Sequence, residues 1–276
     1  MADSLPPIYL STAIEAVTRA GAMQLAGAGH LHIEKKGAID LVTEIDRDVE
    51  RMFRALIAER FPDHAILAEE FAARGDRERA AQYTWVFDPV DGTTNYAHGL
   101  PIFCSAASLE IDGEAAVAAV YDPSRRELFT AERGVGAWMN GVPLRVSHAE
   151  HLIDSLLCTG FPYTVHDESR RLLDVFAAFL ETSRAVRRLG SAAIDLCYVA
   201  AGRLDGFWEM QLSPWDISAG ALLVAEAGGT VSDLSGAAFA SRRGEIIASN
   251  GRIHTQMVET IASARGPARK LDACDL

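Results

Sequence analysis

Cysteine is scarce in this chain, long apolar runs are missing, and positive charge is in deficit. Each shortage closes off a class of protein. Four cysteines occur in 276 residues (Cys104, Cys158, Cys197 and Cys274), widely scattered and without a Cys-x-x-Cys pair. That argues against a disulfide scaffold and a structural zinc site, and the apolar or small neighbours of three of them predict buried free thiols of a reducing cytosol. No stretch of about 18 uninterrupted apolar residues exists, so no membrane-spanning helix is expected. The opening MADSLPPIYLSTAIEAV lacks a basic region leading into an apolar one, so no secretory signal is read there and a cytoplasmic location is expected. Acidic residues outnumber basic ones 38 to 26, for a formal net charge of -12. Such a surface repels phosphate backbones, so direct nucleic-acid binding is not expected. A phosphorylated small molecule stays compatible, because divalent cations invert the local field.

Several catalytic signatures are also missing. There is no Gly-x-Ser-x-Gly elbow, no Walker-type loop and no Gly-x-Gly-x-x-Gly fingerprint, and the 8 histidines show no metal-ligand spacing. The step from Asp88 to Asp91 does not fit the Asp-x-Asp of an aspartyl-phosphate phosphatase. What is present is ordinary globular composition, 49% hydrophobic and 23% charged, with no repeat or linker. One continuous domain over residues 1–265 is expected, followed by a tail at 266–276.

Periodicity predicts a helix over 8–29, and a second from an N-cap at Thr43 to the stop at Phe61-Pro62, with an apolar stripe of Val49, Met52, Phe53, Leu56 and Ile57. Strands are expected over 64–68, 83–87, 105–109, 115–121 and 127–130, separated by turn signals such as Asp112-Gly113 and Asp122-Pro123. Antiparallel pairing is their simplest connection. Helices follow over 167–182, 191–201 and 217–227, the last stopped by Gly228-Gly229, with strands at 207–210, 229–232 and 245–249. Helices and strands in blocks point to a layered α+β sandwich rather than a doubly wound sheet.

The most informative stretch is Asp88-Pro89-Val90-Asp91-Gly92-Thr93-Thr94-Asn95. An apolar strand delivers two carboxylates, three positions apart, into a tight turn; Pro89 fixes one φ angle and Gly92 permits a conformation denied to other residues. Hard oxygen ligands on a stiff turn suit Mg²⁺. If a helical turn follows, the N–H groups of Gly92 and Thr93 face an anion. Asp-Pro and Asp-Gly are also ordinary turn dipeptides, so taken alone the run reads equally well as structure.

Together with Asp40-Leu41-Val42-Thr43 leading to Asp46, Ala68-Glu69-Glu70, Gly190-Ser191-Ala192-Ala193 and Trp215-Asp216, in that order, the run resembles the inositol monophosphatase family over nearly the whole chain. It departs from the family mainly at 71–82 and in the C-terminal tail. The resemblance implies the α-β-α-β-α sandwich of the inositol monophosphatase and fructose-1,6-bisphosphatase type, with a metal-binding half at about 1–150, a second half at about 151–265, and the site between two sheets. It implies two Mg²⁺ ions held by Glu69, Asp88, the Val90 carbonyl, Asp91 and Asp216, with Glu69 reaching a third position. A pair of cations about 3.5–4 Å apart stabilises both attacking and leaving oxygens.

Asp46 then accepts from the Thr93 hydroxyl, and Thr93 orients a water activated by the first metal, Glu69 contributing to the same step. The substrate lies against Gly92, Thr93, Gly190, Ser191, Ala192, Glu209 and Asp216, with the Glu209 carboxylate accepting from a polyol. Plainer readings stand beside these. Glu69 and Glu70 suit a solvated loop, Asp216 an N-cap for a helix starting at Ile217, Asp46 a first helical turn, Trp215 packing, Glu209 an exposed strand, and Lys35 and Lys36 a solvated basic pair. The implied activity is direct hydrolysis of inositol-1-phosphate or a similar polyol phosphate by a lithium-sensitive homodimer. Histidinol phosphate, fructose-1,6-bisphosphate and 3′-phosphoadenosine 5′-phosphate are alternative substrates. Thr159-Gly160-Phe161-Pro162 and Gly206-Phe207-Trp208-Glu209 resemble the bacterial extragenic suppressor branch, whose members can also join the transcription machinery.

Overall fold

The computed structural model describes residues 5–28, 33–35, 41–71, 81–162 and 165–264. Helix α1 (Pro7–Gly27) is followed by a short antiparallel pair, β1 (Ile33–Lys35) and β2 (Leu41–Thr43), and by α2 (Glu44–Arg60). Strands β3 (Ala65–Ala68) and β4 (Tyr83–Asp91) lead to a single helical turn, α3 (Thr93–Ala97). A meander then runs through β5 (Cys104–Ile111), β6 (Glu114–Asp122), β7 (Glu127–Glu132), β8 (Gly136–Met139) and β9 (Val142–Pro143). These strands form one sheet of seven in the order β3-β4-β5-β6-β7-β8-β9. The expected antiparallel pairing holds from β4 onward, but β3 and β4 are parallel, Ala65 opposite Thr84 and Ala68 opposite Phe87. The strand before the signature run crosses over instead of turning back.

The rest of the described chain comprises β10 (Leu156–Thr159), α4 (Val165–Thr182), β11 (Ala185–Arg187), α5 (Ala192–Ala200), β12 (Gly206–Met210), α6 (Pro214–Glu226), β13 (Thr230–Ser232), β14 (Glu245–Ser249) and α7 (His254–Ala264). Its five strands order as β11-β10-β12-β14-β13, parallel between β10 and both its neighbours and antiparallel thereafter.

Alternation along the strands sorts side chains into layers. On β5 and β6, Ala107, Leu109, Val117 and Ala119 pack beneath α1 and α2 with Val17, Val49 and Phe53, while Ala106, Ala118 and Val120 face α5 and α6. On β12 and β14, Phe207, Ile246 and Ala248 join that middle helical layer, whereas Trp208 and Ile247 turn to Val175, Phe179, Met257 and Ile261 of α4 and α7. The stack is therefore α-β-α-β-α, as the resemblance implies. Small residues bring the middle layer close: a Cβ on Gly220 of α6 would lie 2.5 Å from Leu196 of α5. Ser218 fixes the rotation of α6 by donating to buried Glu110 of β5 at 2.9 Å, which Arg242 also engages.

Cys104, Cys158 and Cys197 are buried free thiols, and Cys274 lies outside the described residues. Among the described residues no helix is long and apolar enough to cross a membrane.

Candidate active site

Strand β4 does not end at residue 87, as its apolar pattern suggests, but carries the signature run through Asp91. Asp88 stands opposite Ala106 and Asp91 opposite Cys104, so three steps on β4 meet two on β5 and the strand bulges at Pro89 and Val90. Asp88 Oδ1 accepts the Val90 N–H at 2.9 Å, which stiffens the bulge. Gly92 then turns the chain at φ +90 into α3, and a Cβ there would sit 2.9 Å from the Ile102 carbonyl. The amides at the start of α3 precede its first internal bond, Tyr96 N–H to Gly92 O at 3.0 Å, and so have no partner within the helix.

Two helices present carboxylates by the same device. In α2, Thr43 is the N-cap and its N–H donates to Asp46 Oδ2 at 2.8 Å; in α6, the Ser213 N–H donates to Asp216 Oδ2 at 2.7 Å. Both are reciprocal capping boxes with the Asp at the third helical position. This corrects the plain reading of Asp216: the helix begins at Pro214, its cap is Ser213, and Asp216 lies one turn inside. Trp215 packs against Leu67 and Val86. Asp46, besides its first-turn role, receives the Thr93 hydroxyl at 3.2 Å, a hydroxyl that also lies 2.8 Å from the Val90 carbonyl.

A third helix start meets Asp91. Ser191, the N-cap of α5, donates to Asp91 Oδ2 through its hydroxyl, and the Ala193 N–H does so at 2.8 Å. These donors and the positive end of α5 favour the ionised carboxylate. One oxygen from each of Asp88, Asp91 and Asp216 lies within 4.8 Å of the others, although residue 216 is far along the chain. Glu69, outside that trio, lines the same cleft. Its loop is anchored from behind by buried Glu50 of α2, which accepts the N–H groups of Glu70 at 2.6 Å and Phe71 at 3.1 Å.

The cleft has a volume of about 710 Å³. Every expected metal and substrate residue borders it (Glu69, Asp88, Val90, Asp91, Gly92, Thr93, Gly190, Ser191, Ala192, Glu209 and Asp216), while Asp46 stands behind Thr93. The side chains of Lys35 and Lys36 fall outside the described ones.

Sequence reasoning missed Asn95, Asp195, Arg188 and Gly160 as cleft residues. The Asn95 amide ties α3 to the approach to α5, donating to the Ile102 and Leu189 carbonyls at 2.8 Å each. Gly160 leaves room for Glu209, since a Cβ there would fall 2.2 Å from both Glu209 carboxylate oxygens. Glu209 is buried, not the exposed strand residue of the plainer reading.

Charge in the cleft is one-sided. Among its described lining residues Arg188 is the only cation. Burial, then the charges of Glu69, Asp91, Asp216 and Asp46, push the Asp88 carboxyl well above the usual range. Burial raises Asp91 too, against the pull of its donors from Ser191, Ala193, Ala192 and Cys104. On the opposite side, burial and the charge of Asp195 lift Glu209 to about 8, against the pull of Arg188. Crowded, buried, all-oxygen donors on a stiff bulge are the chemistry of a hard divalent cation, and Mg²⁺ fits them.

Comparison with known proteins agrees with this geometry. The sequence pattern described as "Inositol monophosphatase family" matches residues 9–266. The chain belongs to the inositol monophosphatase family. That membership supports phosphatase chemistry. The chain is 41% identical over 266 residues to the "Nus factor SuhB" of Pseudomonas aeruginosa, covering 95% of this chain and 98% of that one. It is 43% identical over 257 residues to the "Inositol-1-monophosphatase" of Synechocystis, covering 92% and 89%. The solved inositol monophosphatase of Anabaena (Nostoc) superposes with a TM-score of 0.84 at 38% identity, over 93% of this chain and 96% of that chain. The layered sandwich is thus the inositol monophosphatase fold.

Proposed function

We propose that the protein is a Mg²⁺-dependent phosphomonoesterase that hydrolyses inositol-1-phosphate or a similar polyol phosphate, water attacking phosphorus directly and in line. The convergence of Asp88, Asp91 and Asp216 within 4.8 Å of one another carries this reading. These residues, with Glu69 and the Val90 carbonyl, would hold the metal. When bound, Mg²⁺ supplies Lewis-acid polarisation of the phosphoryl and leaving oxygens.

The chain's own groups do the rest. Asp46 takes the Thr93 hydroxyl proton into a hydrogen bond, which leaves the oxygen of Thr93 to accept from, and so orient, the attacking water. The free amides that open α3 receive the phosphate. Glu209, above Gly160, accepts hydroxyl donors of the alcohol, and buried walls of the cleft fix the ester for in-line attack.

Phosphate release from a panel of esters, with Mg²⁺, with chelator and with Li⁺, tests the proposal. Release from inositol-1-phosphate that needs Mg²⁺ and falls with Li⁺ is expected. Mg²⁺-independent release, or a wide preference in kcat/KM for histidinol phosphate, overturns it.

A second reading rests on the name of the Pseudomonas aeruginosa relative, "Nus factor SuhB": this protein also joins a transcription complex through protein contacts. Affinity capture from a native-like lysate checks it, and recovery of the bait alone removes its support.

A further inference from the structure

The bulge in β4 deprives Pro89 of a ladder partner for its carbonyl, which would otherwise be stranded in the interior. Two side chains replace that partner. Gln24 Nε2, from the last turns of α1, donates to the Pro89 carbonyl at 2.8 Å, and Ser105 Oγ donates to the same oxygen at 2.5 Å. The Gln24 amide also reaches the Cys104 carbonyl and Ser105 Oγ at 3.3 Å each. Its main-chain carbonyl receives the Tyr96 phenol at 2.6 Å, from the helix that follows the bulge. One residue thus holds the chain on both sides of Asp91, at Pro89 within the signature run and at Tyr96 just after it. The next carbonyl along, that of Val90, lies 2.8 Å from the Thr93 hydroxyl and belongs to a cleft residue.

Gln24 is fully buried, and among the described residues it does not border the cleft and its own Oε1 has no hydrogen-bond partner. A buried orphan acceptor is a cost that a methionine of similar length would avoid. What the amide adds is a donor aimed at Pro89.

We infer that Gln24, with Ser105, is a positioning residue: it anchors the Pro89 carbonyl so that Asp88, the Val90 carbonyl and Asp91 present their oxygens to Mg²⁺ in one geometry. The inference rests on the Mg²⁺ reading above. No contact between Gln24 and substrate or metal is involved.

Calorimetric titration of the full chain with MgCl₂ tests it, using Gln24→Met, Ser105→Ala and, as a control for simple weakening of α1, Val17→Ala in the same buried face. Gln24→Met and Ser105→Ala are each expected to raise the Kd for Mg²⁺ about 10-fold, the lower end of the range seen when groups supporting metal ligands are removed. Val17→Ala should lower the melting temperature yet leave the Kd within about 2-fold, since the core cluster it belongs to does not include Pro89 or Val90. A Gln24→Met Kd within about 2-fold of the original protein, or an equal rise in Val17→Ala, overturns the assignment. Should Gln24→Met fail to fold, an unchanged Kd in Ser105→Ala does the same. If the original protein shows no saturable Mg²⁺ binding, the metal reading falls first and the positioning role with it.

Discussion

The two ends of the cleft are built from the same material, buried and half-buried carboxylates, and treat it in opposite ways. At the end of β4, Asp88, Asp91 and Asp216 are pressed together with Glu69 nearby, and donors at the start of α5 pull Asp91 toward its charged form against a burial that raises its pKa. At the other end, Glu209 and Asp195 line the cleft with Arg188 as the nearby cation, and among the described residues Asp195 Oδ1 has no hydrogen-bond partner. On the proposed function, the first arrangement is relieved by a divalent cation. The second is relieved by a proton, since burial and the charge of Asp195 push Glu209 up to about 8. On the proposed function, neighbours and donors, rather than residue type, decide which carboxylate serves as a metal ligand and which as an acceptor for an alcohol.

The largest test of that contrast is Asp88→Asn. It should cost about 10³-fold in turnover at saturating Mg²⁺ while far-UV circular dichroism stays unchanged, because the side chain keeps its shape and loses its charge. Most activity surviving in excess Mg²⁺ would mean that the trio is not a metal centre.

Glu209→Gln should act only at the other end. An about 10-fold lower kcat/KM for inositol-1-phosphate is expected, against a change within about 2-fold for an aryl phosphate that lacks ring hydroxyls. Equal losses on both esters would remove Glu209 from alcohol recognition.

The smallest effect is in stability. Burial and the charge of Asp195 push Glu209 from its ordinary 4.5 up to about 8, so the folded protein binds the extra proton between those values. The stability associated with that proton is fully present below the unfolded value and is lost as pH rises through the folded one. In chelator, the melting temperature of the original protein should therefore fall more steeply than that of Glu209→Gln between pH 6 and 9. Parallel melting curves would show that Glu209 does not hold a raised pKa.

Much of the fold was legible because it is written locally. Turn pairs, the apolar stripe of α2 and the cap at Thr43 each lie within a few residues of what they determine. The β3–β4 pairing was misread because strand direction is settled by where a crossover packs, which a run of apolar residues does not encode. Short strands such as β9, with Val142 63% exposed, carry no core pattern to find.

In the site, Asp88 and Asp91 could be read from their own turn, whereas Glu69 and Asp216 entered only through resemblance, since nothing in their spacing announces that they share a cleft. Glu50 was overlooked because Glu50 and Arg54 look like an exposed helical pair; in the fold Arg54 Nε does donate to it at 2.8 Å, but the same carboxylate is sealed beneath the loop of Glu70. Asp195 needed three elements to become visible: α5 that bears it, β10 whose Cys158 thiol donates to it, and β12 with Glu209. One signal was available and passed over. Ser213-x-x-Asp216 repeats Thr43-x-x-Asp46, and reading both as capping boxes would have placed the start of α6 correctly.

That repeated motif ties the working life of the site to the fraying of two helix ends. Asp46 and Asp216 each lock a backbone amide three residues upstream, so neither carboxylate can swing away without unwinding the first turn that carries it. Warming should then silence the protein by local opening at residues 43–46 and 213–216 while the layered interior is still intact. Deuterium uptake at the amides of Thr43 and Ser213 would report that loss before any global transition.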